Sequence, residues 1–479
     1  MRVNPAEKIA FPDAAERTMR DRQMRANLAH ATDVIRSKRG KVVAELDAWQ
    51  QLRTAGRRIK QQALANLPFL LEQLESNVSA AGGVVHWASD ADQACEIISR
   101  LVAKTGAKQV VKVKSMTTEE IGLNAALAAK GVHAIETDLA ELIIQLGQDY
   151  STHIVVPAVH WNRRQIRDLF IEQFDLPGLS DNPVELARAA RAYLRQQFLS
   201  ADVAISGANY AVAETGAVGI VESEGNGRMC LTLPKTLISV MGIEKVLPRW
   251  NDIAVFLQLL PRSATGERMN PYNSIWTGVT PGDGPEAFHL VLLDNGRSKI
   301  LADPVARQSL HCIRCGACLN ICPVYRRAGG QAYQSPYPGP IGSIVSPQLW
   351  NDMHFQHLPF ASTLCGACAE VCPVKIQIPQ LLTYLRERAN LNFGIKKLPD
   401  RILMAVLAWV FRRQWRFTLA VKLARIVQLP FKRGNKLKGV PVLKAWLQTR
   451  DFPALPNKGF REWWQQRSNS NPAQQPKKH

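Results

Sequence analysis

The chain has 479 residues, of which 46% are hydrophobic and 21% charged, with a formal net charge of +20. That length exceeds one core and fits roughly three domains. The composition is that of a globular protein, and neither a G-x-G-x-x-G dinucleotide fingerprint nor a Walker A P-loop is present.

In chain order, residues 1–75 read as helix, rich in Ala, Arg, Gln and Leu, with no proline between Pro12 and Pro68. Residues 1–65 carry 14 Lys and Arg against 7 Asp and Glu. After the break at Ala80–Gly83 the pattern alternates. Strands are predicted at Val84–Trp87, Gln109–Lys114, Val132–Glu136 and His153–Val156. Helices are predicted at Asp90–Lys104, from a capping box at Thr117–Glu120 through Ala129, and at Leu139–Leu146, Arg163–Phe174 and Pro183–Phe198. Such alternation predicts a mostly parallel sheet covered by helices. Short strands split by glycines follow at Val203–Ser206, Ala211–Val212, Val218–Glu222, Met229–Leu233 and Leu237–Met241. A helix at Asn251–Leu260 and a strand at His289–Leu293 close an α/β domain over 76–297.

Three stretches of this domain carry polar residues where a ligand could sit. Lys112–Glu120 runs from strand to helix start, either an anion site or a capped helix with solvated lysines. Glu214, among apolar neighbours beside Gly216, is either a cleft carboxylate or a turn residue. Glu222–Arg228 is either a close backbone approach to a ligand or a polar hairpin loop.

The region 298–392 holds seven of the nine cysteines. Cys312, Cys315, Cys318 and Cys322-Pro323 have the C-x2-C-x2-C-x3-C-P spacing of a two-cluster bacterial ferredoxin, in which the fourth cysteine ligates the other cluster. Cys365, Cys368 and Cys372-Pro373 form a second, shorter motif. The cross-over rule assigns Cys312, Cys315, Cys318 and Cys372 to one 4Fe–4S cluster, and Cys322, Cys365 and Cys368 to a second. The second is one thiolate short. Ser362 occupies the missing register, leaving a serine- or solvent-capped 4Fe–4S cluster, a 3Fe–4S cluster, or a histidine ligand from His354 or His357. The 4Fe–4S form with one labile iron is preferred. Structural zinc fits this spacing poorly. Arg314, Arg326 and Arg327 flank the first motif, where positive charge stabilises a reduced cluster. Cys95 and Cys230 read as buried thiols. Thiolate ligation, with no signal peptide apparent, predicts a reducing, cytoplasmic setting.

The 42 residues between Cys322 and Cys365 fit an α-helical ferredoxin domain better than a small ferredoxin. The last segment, 393–479, is basic and helical. Its apolar run Ile402–Phe411 is too short for a bilayer, which takes about 20 residues. It reads as a helical pair packing on protein, or as an interfacial helix peripheral to an anionic membrane. Nucleic-acid contact is not expected, since no recognition motif accompanies the charge. Gln466–His479 reads as a disordered tail.

Taken together, Val113–Ile121, Glu136–Gln145, Val155–His160, Ala211–Gly216, Glu224–Gly227 and the paired cysteine motifs resemble the lactate utilization protein B family over essentially the whole chain. The resemblance implies a LUD domain with the fold of the NagB/RpiA/CoA-transferase type, then an α-helical ferredoxin domain and a short C-terminal domain. It implies an iron–sulfur electron-transfer subunit of an L-lactate-oxidising complex with sister proteins A and C. A membrane quinone is a candidate acceptor. The rival readings are a subunit for another 2-hydroxy-acid or glycerol-3-phosphate dehydrogenase, and a non-redox module with structural clusters.

Overall fold

The computed structural model describes residues 7–394, 398–441, 447 and 450–470. The chain forms two compact units, Met1–Ile395 and Lys396–His479.

The first unit is built on a six-stranded parallel sheet of β1 (Val84–Ala88), β2 (Gln109–Lys112), β3 (His133–Glu136), β4 (Val203–Gly207), β7 (Thr236–Gly242) and β10 (Ala287–Leu293), ordered β1-β10-β7-β4-β2-β3. A smaller sheet of β5 (Tyr210–Val212), β6 (Ala217–Glu222), β8 (Val246–Leu247) and β9 (Tyr272–Trp276) lies in the order β8-β5-β6-β9. Successive strand residues point to opposite faces. Val111, Ile135, Ala204, Leu237 and Leu290 therefore enter one core, while Val110, Ala134, Val203, Ile238 and Val291 enter another. Burial on both faces accounts for the nearly continuous apolar strands. The chain steps from β2 outward to β3, then returns to β4 on the other side of β2. The carboxyl ends of β2 and β4 thus flank the switch point where open α/β sheets form crevices.

Four helices precede the sheet: Phe11–Thr18, Arg22–Ala44, Trp49–Ala65 and Leu67–Ala80. Asp21 caps the second, accepting from Met24 N at 2.8 Å. Met24, Leu28 and Trp49 share a core with Cys318, Cys322, Cys368 and Cys372, so the N-terminal helices pack on the cysteine region.

Several predicted elements differ. His153–Val156 is not a strand: the His153 ring accepts from the backbone N–H of Val155 and Val156 at 2.9 and 3.1 Å, folding the segment into a turn. Met229–Leu233 lies largely in a helix, Asn226–Thr232, entered through left-handed Gly225. The helix cap before Ala129 is Ser115, and the helix breaks at Gly122, whose φ is +66°.

The second unit has helices Leu398–Phe411, Gln414–Val427 and Phe460–Ser470 and a three-stranded sheet, β11 (Lys432–Arg433), β12 (Lys436–Leu437) and β13 (Phe452–Pro453). Gln466–Ser470 is thus helical rather than disordered, because a helix starting at Phe460 carries through it. The rest of the predicted tail lies outside the described residues. The Arg416 guanidinium sits 4.0 Å over the Trp409 ring, and Phe411, Trp415, Val427 and Phe460 are each at least 60% exposed. Among the described residues, no helix is long and apolar enough to cross a membrane.

Candidate metal centre

Each cysteine motif turns through a left-handed glycine, Gly316 or Gly366, into one turn of helix, Ala317–Ile321 or Ala367–Val371, and ends at a Cys-Pro step. The two short helices pack on one another. This brings distant thiols into two groups. Cys315, Cys318 and Cys372 interact electrostatically with Cys312, and Cys315 and Cys318 also with Cys372. Cys368 interacts with Cys322 and Cys365, and Cys322 with Cys365. Cys318 also interacts with Cys368, so the two groups adjoin.

The donor set suits a metal cluster. Burial, with neighbouring thiols adding to it, pushes Cys315 and Cys368 up to about 12 and Cys372 to about 11. Metal coordination is what makes such thiols thiolates. Backbone N–H groups already point at sulfur: Arg314 N to Cys312 Sγ at 3.4 Å and Ile376 N to Cys372 Sγ at 3.3 Å. The Tyr333 hydroxyl is buried without a hydrogen-bond partner, on a side chain that interacts with Cys322 and Cys318. Cys95 and Cys230 are buried elsewhere in the α/β core, as expected.

Cations surround the first group. Arg53 donates to Cys372 O at 2.9 and 2.7 Å, and Arg39 donates to Val371 O at 3.0 Å. Arg314, which interacts with Cys312, also joins a buried network. Arg297 pairs with both oxygens of Glu120 at 2.8 and 2.9 Å and with Glu244 at 2.5 Å. Tyr337 donates to Glu120 at 2.5 Å. Arg314 lies 3.6 Å from Glu244 and 4.3 Å over the Tyr337 ring, and Lys60 donates to the Glu244 carbonyl. Lys245 donates to Ala208 O at 2.7 Å. Gly242 makes the pairing possible: a Cβ there would stand 2.2 Å from Glu244 Oε2 and 2.4 Å from Arg297 Nε. Burial alone would raise Glu244, but Arg297, Arg314, Lys245 and Lys60 hold it down at about 2. Burial, only partly opposed by Glu244, lowers Lys60 and Lys245 to about 8.

The second group has a different setting. Its Cys365 is exposed, as is Leu364, which has a left-handed φ of +57°. The Ser362 hydroxyl accepts from Leu364 N at 3.1 Å. His354 stands at 4.9 Å from the Phe355 ring, and its electrostatic partners are Asp352, Lys8 and His357, with no thiol among them.

Two further cavities bear on the site, of which only the smaller is lined by a cysteine of these motifs. The larger, about 540 Å³, opens beyond β2 and β3 and is bordered by Glu119, Glu136, Glu141, Lys112 and His153. Burial raises Glu119 and Glu141; the Glu119 charge raises Glu141 further, whereas a hydrogen bond from Glu141 partly offsets the rise at Glu119. The smaller, about 40 Å³, is bordered by Lys60, Tyr210, Lys245, Cys312 and Arg314.

The chain matches a lactate utilization protein B of Anoxybacillus flavithermus at 42% identity over 98% of this chain and 99% of that one. It belongs to the lactate utilization protein B family. The family protein of Bacillus licheniformis is 44% identical over 93% of this chain and 94% of its own, and that of Bacillus subtilis 41% over 96% and 97%. Three family models align in succession: the LUD domain at 71–293, the 4Fe-4S dicluster domain at 308–376 and the lactate utilisation protein B C-terminal domain at 394–469. The dicluster match makes iron–sulfur clusters the cofactor of this region. A crystal structure of a DUF162 family protein from Deinococcus radiodurans aligns with TM-score 0.27 and 12% identity, covering 47% of this chain and 98% of that one.

The polar stretches of the α/β domain are used structurally. Lys112 is buried and paired with Glu136 at 2.7 Å, so neither a solvated lysine nor a free anion site describes it. Glu214 is exposed and accepts from Trp250 N at 2.7 Å, so it is a turn carboxylate and not a cleft group. Glu222 accepts from the N–H groups of Glu224 and Gly225, closing the loop into a helix rather than a hairpin. Of the flanking arginines only Arg314 faces the thiols; Arg326 pairs with Asp33, and Arg327 is exposed. The cations that sequence reasoning missed, Arg39, Arg53, Lys60, Lys245 and Arg297, carry no local motif. Only the positive charge of the N-terminal helices pointed toward three of them.

Proposed function

We propose that this chain is the electron-transfer subunit of an L-lactate-oxidising system working with sister proteins A and C. Two 4Fe–4S clusters are held by Cys312, Cys315, Cys318 and Cys372, and by Cys322, Cys365 and Cys368. The observation that carries this reading is the interleaving of the thiols, with Cys372 among the first motif's cysteines and Cys322 among the second's. Zinc sites need no such exchange between motifs.

Converting a 2-hydroxy acid to a 2-oxo acid releases two electrons and two protons. Clusters of this kind accept and release single electrons, so an adjoining pair takes the electrons one after the other. The chain's residues set the conditions. Arg39, Arg53 and Arg314 place positive charge beside the first group, and the unpartnered Tyr333 hydroxyl is a donor available to a cluster beside Cys322. At the second group the fourth position belongs to solvent, since Ser362 Oγ is engaged by Leu364 N–H and His354 keeps company with Phe355. The four segments 1–75, 76–297, 298–392 and 393–479 are an N-terminal helical segment, a LUD domain of the NagB/RpiA/CoA-transferase type, an α-helical ferredoxin domain and a basic helical C-terminal region. The exposed apolar side chains and arginines of the last suit contact with an anionic membrane surface, where a quinone could accept the electrons.

Anaerobic reconstitution with proteins A and C tests this. L-lactate should bleach the cluster absorbance and raise a reduced-cluster EPR signal. Reduction by glycolate or glycerol 3-phosphate, and not by L-lactate, would reassign the substrate. No reduction by dithionite would remove the electron-transfer role.

A further inference from the structure

The small cavity beside Cys312 has features that the cluster alone does not explain. It lies at the carboxyl end of the parallel sheet, between the loop after β4, the segment after β7, the helix Trp49–Ala65 and the first cysteine motif. Lys60, Tyr210, Lys245 and Arg314 converge on it, with Phe256 forming part of its apolar wall. Tyr210 is 4% exposed and its hydroxyl has no hydrogen-bond partner. Arg314, with a side chain 10% exposed, has an Nη1 without a partner. An unmet buried donor costs about 1–3 kcal/mol, so two of them on residues bordering one cavity call for an acceptor. The Tyr210 ring is not free to turn away, because it lies against Gly219, where a Cβ would stand 2.4 Å from it.

The charge points the same way. Lys60, Lys245, Arg297 and Arg314 face only two carboxylates, Glu120 and Glu244. A cluster on Cys312 would draw on part of that excess, but Arg39 and Arg53 also interact with the same thiol group. Room for about three waters at 10–15 Å³ each matches a small organic acid. The large cavity offers the opposite chemistry, since four carboxyl groups line it, Glu119, Glu136, Glu141 and Asp149, and Lys112 and Lys114 are paired with Glu136 and Glu141.

We propose that this cavity binds a small monocarboxylate, a two- or three-carbon 2-hydroxy or 2-oxo acid. Arg314 and Tyr210 hold its carboxylate, the lysines supply charge, and the apolar wall takes its alkyl end. Which acid binds rests on the lactate-oxidation reading, whereas the anion site does not.

The test is calorimetric titration of the anaerobic, cluster-loaded full chain with L-lactate, pyruvate and acetate. The expected result is saturable binding of at least one acid, weakened about tenfold or more in Tyr210→Phe, the loss of a hydrogen bond to a charged group. The melting temperature of Tyr210→Phe should not fall, because the hydroxyl has no protein partner to lose. Lys245→Gln should weaken binding in the same direction, and Glu119→Gln, in the large cavity, should leave it unchanged. No binding of any acid, wild-type affinity in Tyr210→Phe, or a loss confined to Glu119→Gln would overturn the site. Binding that depends on Tyr210 with no reduction by L-lactate in the assembled system would instead sink the lactate reading and leave the site standing.

Discussion

The two thiol groups adjoin, yet their surroundings are opposite. The first is walled by Arg39, Arg53 and Arg314 and backed by the Arg297–Glu244 network, with Cys315, Cys318 and Cys372 each less than 10% exposed. The second buries Cys322 and Cys368 to the same degree but reaches the surface at Cys365 and Leu364, and it shares the aromatic neighbours Tyr325 and Tyr333 with Cys318. Buried charge acts through an effective dielectric of about 20 rather than 80, about fourfold more strongly than in water. On the proposed electron-transfer reading the difference implies a division of labour: the cationic interior would favour holding an electron, and the exposed group passing it to a partner.

The largest effects come from removing one thiol per group. Cys372→Ser should abolish the first cluster and Cys322→Ser the second, each removing roughly half the iron and leaving the other EPR signal. If Cys372→Ser spares the first signal, the interleaving is wrong.

Next comes the buried network that makes the first group cationic. Glu244→Gln leaves Arg297, Arg314, Lys60 and Lys245 short of a counter-charge, which should cost about 3–5 kcal/mol in denaturant unfolding. The same carboxylate predicts acid sensitivity. Its folded value, about 2, lies below its ordinary 4.5, so its contribution is complete above pH 4.5 and drains away as pH falls toward 2. An acid limb identical in Glu244→Gln and wild type would contradict this.

A smaller effect belongs to the second group. Tyr333→Phe should lower the more negative of the two midpoint potentials, by withdrawing an O–H donor, without lowering thermal stability. An unchanged potential would show that the hydroxyl does not serve the cluster. The smallest is Ser362→Ala, whose Mössbauer spectrum should match wild type if, as proposed, solvent holds the fourth position; a new iron environment would make Ser362 the ligand.

Much of this architecture was legible in the chain. Cysteine spacing is fixed by the cluster's own geometry, and the parallel sheet announces itself through apolar runs such as Leu290–Leu293. Local ambiguity caused the errors: Met229–Leu233 has a strand's composition but follows a left-handed glycine, and the His153 ring bends its own segment. The cationic wall was hidden for another reason. Arg53 meets Cys372 across 319 residues and Arg297 meets Glu120 across 177, and no local pattern encodes such pairs.

The central claim is that two adjoining clusters differ because one is buried among cations. An EPR-monitored potentiometric titration of the anaerobically loaded full chain, alongside Cys322→Ser and Cys372→Ser, tests it most directly. The account predicts two one-electron waves, with the more positive wave surviving in Cys322→Ser and lost in Cys372→Ser. A single wave, or the more positive wave surviving in Cys372→Ser, would contradict it.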